Sequence, residues 1–122
     1  ARGRRAGEAL LSAPVDVVAL ADLTPGEPVL VTVGETPVCL VNVDGEVLAV
    51  HDVCTHALAS LSAGWVEGDS IECPRHGAQF SLRTGEVLTP PASRALPTFG
   101  VEIRDGRVLV DPTPSCEHPL IR

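Results

Sequence analysis

Short apolar runs broken by turn residues dominate the chain, and no sustained helical period runs through it. VDVVAL (15–20), PVLVTV (28–33) and PVCLVNV (37–43) are brief and rich in Val, the composition of strands. Asp44-Gly45 is a hairpin turn signal, and EVLAVH (46–51) returns from it. Thr84-Gly85 separates AQFSL from EVL, and Asp105-Gly106 joins FGVEIR (99–104) to RVLVD (107–111) as a second Asp-Gly hairpin. Turn signals at roughly ten-residue intervals predict an all-β domain, a small antiparallel sandwich or barrel. Only EALLSA (8–13) and LADL (20–23) read as brief helical turns. The pattern shows no repeat and no second domain. It places the domain at residues 14–111, after an N-terminal extension (1–13) and before a C-terminal tail (112–122). The tail, PTPSCEHPLIR, holds three prolines and no alternation.

Residues 53–64 and 73–80 depart from this pattern. They are too rich in Cys, His, Gly, Ala and Ser for sheet. They read as two loops, joined by the short strands WVE and SIEC around Gly68-Asp69. Each carries one sulfur and one nitrogen ligand: Cys54 and His56 in the first, Cys73 and His76 in the second. Loops at the tips of neighbouring hairpins can face each other, which brings four ligands together. Structural zinc usually takes closely spaced Cys pairs, or two His on one helix. A zinc-stabilised interaction module with two Cys and two His remains chemically admissible. The other solution is a [2Fe–2S] cluster with two Cys on one iron and two His on the other.

Cys54-Thr55-His56 and Cys73-Pro74-Arg75-His76-Gly77 resemble the two ligand boxes of Rieske proteins. The run CTHALASLSAGWVEGDSIECPRHGAQFSLRTGEVLTPPA is similar in order to the Rieske ferredoxins that serve bacterial aromatic-ring-hydroxylating dioxygenases. The resemblance extends over about residues 14–111 and implies a fold with two cluster-binding loops. It implies that Cys54 and Cys73 bind an inner iron and that His56 and His76 bind an outer, near-surface iron through Nδ1. Pro90 and Pro91 match a proline loop that covers the cluster. Charge counting accounts for the mixed ligands. Two Fe(III), two sulfides and two thiolates sum to zero, whereas four thiolates leave a dianion that resists another electron. The His-bound iron has fewer anionic ligands, so the electron belongs there. High-potential relatives carry an extra Cys in each loop and a Ser and a Tyr that donate toward cluster sulfurs. Here those positions are Ala59, Arg75, Ala78 and Phe80, which implies a low-potential centre.

The function implied is a one-electron carrier and not an enzyme. It would take electrons from a flavin-containing reductase fed by NADH or NADPH and deliver them to a terminal oxygenase. No Ser-His-Asp set, phosphate loop or dinucleotide fingerprint appears. Two further readings stay open: a small subunit of a nitrite-reductase-like complex, and a fragment of an oxygenase large subunit. The latter would need a further domain with a two-His-one-carboxylate iron site.

Charge narrows the partners. The net formal charge is −7, and residues 14–111 hold five Arg against fourteen Asp or Glu. Such a body repels the phosphates of nucleic acid and of anionic membranes, and no apolar run approaches a membrane span. Arg4-Arg5 has the look of a twin-arginine signal, but Glu8, Pro14 and Asp16 interrupt the residues after it. Four cysteines would allow two disulfides in a secreted protein. With His beside two of them and no signal sequence, a reduced cytoplasmic setting is expected. Cys39 lies mid-strand and reads as a core thiol, His51 as a solvated or capping group at a strand end, and Trp65 as a core anchor between the boxes. Cys116-Glu117-His118 mimics the first box in the tail, with no matching loop, and reads as coincidence.

Overall fold

In the computed structural model, which describes residues 13–90, 92 and 94–121, both Asp-Gly steps turn as their composition predicts. Asp44 and Gly45 have φ of 51° and 92°, and Asp105 and Gly106 have 52° and 75°. Two successive positive φ values give the turn whose twist matches paired strands. The first turn joins β3 (Thr36–Val43) to β4 (Glu46–His51), and the second joins β10 (Val101–Arg104) to β11 (Arg107–Val110). The other strands among the described residues are β1 (Val15–Ala19), β2 (Val29–Val33), β5 (Trp65–Glu67), β6 (Ser70–Glu72), β7 (Gln79–Ser81), β8 (Val87–Thr89) and β9 (Thr98–Phe99). Leu20–Asp22 and Leu61–Ala63 form single 3-10 turns, the first where LADL predicts one. The EALLSA turn and the N-terminal extension lie outside the described residues, apart from Ala13.

The strands form three antiparallel sheets, ordered β1-β11-β10, β2-β3-β4-β9 and β5-β6-β7-β8. The middle sheet is covered on both faces, which explains why β3 and β4 are nearly continuous apolar runs. Val38 and Leu40 of β3 and Val47 and Ala49 of β4 join Val108 and Val110 of β11 in one core. Cys39 and Val41 of β3 and Val50 of β4 turn the other way, toward Ile71 of β6 and Phe80 of β7. Cys39 is fully buried there, and burial pushes its thiol up to about 12. It is the core thiol the sequence predicts.

FGVEIR does not form one strand. Gly100 divides it, so that β9 pairs with β4 while β10 pairs with β11. One stretch of chain thereby stitches two sheets together. Trp65 is not a core anchor: it is 60% exposed. Alternation along β5 turns Val66 toward the core and leaves Trp65 on the surface opposite Glu72.

Candidate metal centre

The third sheet exists to present two loops. The first, residues 52–64, runs from β4 to β5, and the second, residues 73–78, links β6 to β7. Both are closed in the same way. The Cys54 N–H donates to the Ala59 carbonyl at 3.0 Å, and the Cys73 N–H donates to the Ala78 carbonyl at 2.8 Å. Each loop therefore opens on its cysteine and folds back five residues later. The bridge between Val53 and Ser60 narrows the neck of the first loop, and Gly77, at φ 78°, turns the second.

Asp52 fixes the entry to the first loop. Its carboxylate is buried and accepts from the Ser62 N–H at 2.8 Å and from the Ser60 hydroxyl. The Thr55 hydroxyl, also buried, donates to the Arg94 carbonyl at 2.6 Å. This ties the loop to the segment that follows Pro90. Pro90 itself is exposed, and Pro91 lies outside the described residues.

The four predicted ligands come together as two unlike pairs. Cys54 and Cys73 are buried, at 0% and 1% exposure, while His56 and His76 are both exposed. The two imidazole centroids are 5.1 Å apart, edge to face. The thiols interact with each other. Burial, above all, pushes the Cys54 thiol up and the neighbouring Cys73 adds to this, while the His56 and Ala57 N–H groups pull the other way. The His56 N–H lies 3.4 Å from Cys54 Sγ. Two buried thiolates side by side are tolerable only against positive charge. A sulfur pair inside and a nitrogen pair outside fit a centre with two metal positions, and its donor set matches a [2Fe–2S] cluster with Cys₂ and His₂ ligation.

The other sequence candidates sort by burial. His51 is not solvated. It is 5% exposed, accepts the Val53 N–H through Nδ1 at 3.1 Å, and lies 4.6 Å from the His118 ring between centroids. It caps backbone, as expected, from a buried position. In the tail, Cys116 is exposed and His118 is buried, so the CEH motif is not a second ligand box. Residues 112–121 form no strand, yet they lie against β9 and the first loop. The sequence pattern gives no sign of the roles of Asp52, Thr55 and His118, whose partners lie up to 65 residues away.

The chain matches the Rieske [2Fe-2S] domain family over residues 13–100. It is 38% identical over 97 residues to the ferredoxin component of the naphthalene 1,2-dioxygenase system of Pseudomonas putida, covering 80% of this chain and 93% of that one. It is 43% identical over 90 residues to the ferredoxin component of biphenyl 2,3-dioxygenase of Rhodococcus jostii (strain RHA1), covering 74% of this chain and 84% of that one. Among solved structures, it is similar to a chain from the complex of reduced oxygenase and oxidized ferredoxin in carbazole 1,9a-dioxygenase. The TM-score is 0.81 at 37% identity, over 87% of this chain and 99% of that chain.

Proposed function

Since the chain belongs to the Rieske [2Fe-2S] family, we propose that it is a one-electron carrier serving a terminal ring-hydroxylating oxygenase, with Cys54, Cys73, His56 and His76 as the cluster ligands. The observation that carries this reading is the contrast between the buried thiol pair and the exposed imidazole pair. Relatives that are ferredoxin components of dioxygenase systems, matched over 84–93% of their length, support it.

The bound cluster supplies a site that accepts and releases one electron. The protein's residues do the rest. The Cys54 and Cys73 thiolates would hold the inner iron, among the buried side chains of Leu61, Ile71, Ala78 and Phe80. His56 and His76 would hold the outer iron, and their exposed rings would face a docking partner. The backbone bonds that close each loop would hold these side chains in place around the cluster. With two protein ligands to each iron beside the sulfides, such a centre would offer substrate no open position.

The electron donor in this reading is a flavin-containing reductase fed by NADH or NADPH. The acceptor is the terminal oxygenase, as in the carbazole 1,9a-dioxygenase complex of the related ferredoxin. The setting is the cytoplasm, in keeping with Cys39 and Cys116, the two cysteines not assigned to the cluster, standing unpaired. No helix of the described residues is long and apolar enough to cross a membrane.

Iron and acid-labile sulfide analysis of the purified protein tests the cofactor, and EPR of the reduced protein tests the ligands. The expected result is two irons and two sulfides per chain, with a Rieske-type signal. His56→Cys should lower the potential by adding negative charge, or lose the cluster. A colourless zinc protein, or an unchanged spectrum in His56→Cys, overturns the assignment.

A further inference from the structure

The C-terminal segment does more than end the chain. It first bonds to β9: the Ser115 N–H donates to the Thr98 carbonyl and the Thr98 N–H donates to Ser115 Oγ, each at 2.9 Å. It then delivers His118, 7% exposed, to the first ligand loop. His118 Nδ1 faces the N–H groups of Leu120 and Ile121 at 3.0 and 3.2 Å and so must accept. The ring proton therefore sits on Nε2, which donates to the Val53 carbonyl at 2.7 Å. On the other side of Val53, its N–H donates to His51 Nδ1 at 3.1 Å. Two buried imidazoles thus hold both backbone polar groups of the residue that precedes Cys54.

We propose that His118 is a positioning residue for the cluster: by clamping the Val53 carbonyl it fixes Cys54 Sγ beneath the His56 N–H, and so sets the reduction potential from the far end of the chain. The proposal rests on the ligand assignment above. Its physical basis is that N–H groups aimed at ligand sulfur favour the more negative, reduced state. The His56 N–H to Cys54 Sγ distance of 3.4 Å is an ordinary length for a hydrogen bond to sulfur, and it depends on the loop holding its place. A loop freed to drift would weaken it and lower the potential.

Docking of the tail alone would use the same contacts, so the test separates the two ring nitrogens. His118→Asn places an acceptor near the Nδ1 position, for the Leu120 and Ile121 N–H groups, but is too short to reach Val53. His118→Gln reaches Val53 with a donor and gives up the turn. Wild-type protein with a Rieske EPR signal first establishes the ligand assignment. Potentials of the three holoproteins are then measured by protein-film voltammetry, alongside EPR g-values and iron content. The clamp predicts that His118→Asn shifts the oxidised-to-reduced ratio at a fixed poise at least threefold toward oxidised, about 30 mV for a one-electron couple, with altered g-values. It predicts that His118→Gln stays within that margin of wild type. Loss of the cluster from His118→Asn but not from His118→Gln supports the clamp equally. Wild-type potential in both variants, the reverse order, or cluster loss from both overturns it.

Discussion

Ala78 and Phe80 are fully buried in the same apolar group as Cys54 and Cys73, so under the proposed ligation side chains at these positions would face the iron–sulfur cluster from its inner side. Neither carries a hydroxyl to donate to sulfur. A hydrogen bond to a charged group contributes about 1.5–3 kcal/mol; taking about 1–2 kcal/mol of that as favouring the reduced over the oxidised cluster, and about 1.4 kcal/mol as 59 mV for one electron, gives the scale of the effect. Ala78→Ser and Phe80→Tyr are each expected to raise the potential by roughly 40–90 mV, and voltammetry near neutral pH checks this. The wild-type midpoint should lie near the negative end of the Rieske range, roughly −150 to +300 mV; a clearly positive value contradicts a centre lacking these donors. His51 carries a second single-residue expectation. Burial first, and then the neighbouring His118, lowers its pKa to about 4 against the opposing pull of Asp52. A His held neutral in the folded state contributes stability that is fully present above pH 6.5 and is lost as pH falls from 6.5 toward 4. The loss is at most about 3 kcal/mol. Urea unfolding at pH 7 and pH 5 should show it, and His51→Asn, which keeps an acceptor for Val53, should flatten the difference. The four proposed ligands stood out in the sequence because each sulfur has its nitrogen two or three residues away. His118 did not, because its partner is Val53, a residue type with nothing to mark it and 65 positions distant.

The strands that pair through local turns were legible almost to the residue, since alternation and the Asp-Gly step both lie within a few positions; β4 spans Glu46–His51 just as EVLAVH does. The errors fall where a distant element decides. The division at Gly100 arises because β4 and β11 compete for the two halves of FGVEIR. Trp65 lies outward because a three-residue strand has one inward position and Val66 holds it. The first loop also depends on a close approach that only glycine permits. A Cβ on Gly64 would stand 2.0 Å from the Glu72 carbonyl oxygen and 3.1 Å from Pro74 Cδ. Neither neighbour can yield without moving the strand that leads into Cys73. Gly64→Ala is therefore expected to cost about 1–3 kcal/mol or more by overpacking and to reduce iron content. Gly100→Ala, whose Cβ would meet only Asp111 Cβ at an ordinary 3.6 Å, is the control. Thermal melting and iron per chain for the two variants check the contrast; equal behaviour would mean that the loops tolerate a shift of β6.

At the scale of the molecule, charge and ligands are distributed unevenly. Of the five Arg in residues 14–111, Arg83 pairs with Glu46 and Asp69, Arg104 with Glu102, and Arg107 with Asp16. All these pairs are exposed, so they add little to stability and serve mainly to cancel local charge. The other two, Arg75 and Arg94, stand on the second ligand loop and on the segment that Thr55 grips. The ligand end therefore bears cationic side chains on a body that is otherwise acidic. Leu58, 69% exposed, and Trp65 add apolar surface to the loops' side of the third sheet. A small polar rim around apolar contacts suits a transient partner, and the excess of carboxylates suits a basic one. Steering between opposite charges raises association rates and is screened by salt. Electron transfer to the proposed oxygenase, followed by stopped-flow absorbance under second-order conditions, should slow at least several-fold as ionic strength rises from about 20 to about 200 mM. Trp65→Ser should weaken docking while leaving that salt slope unchanged, because it removes contact area and no charge. A rate indifferent to salt would show that the acidic body serves solubility alone and that the apolar surface guides encounter.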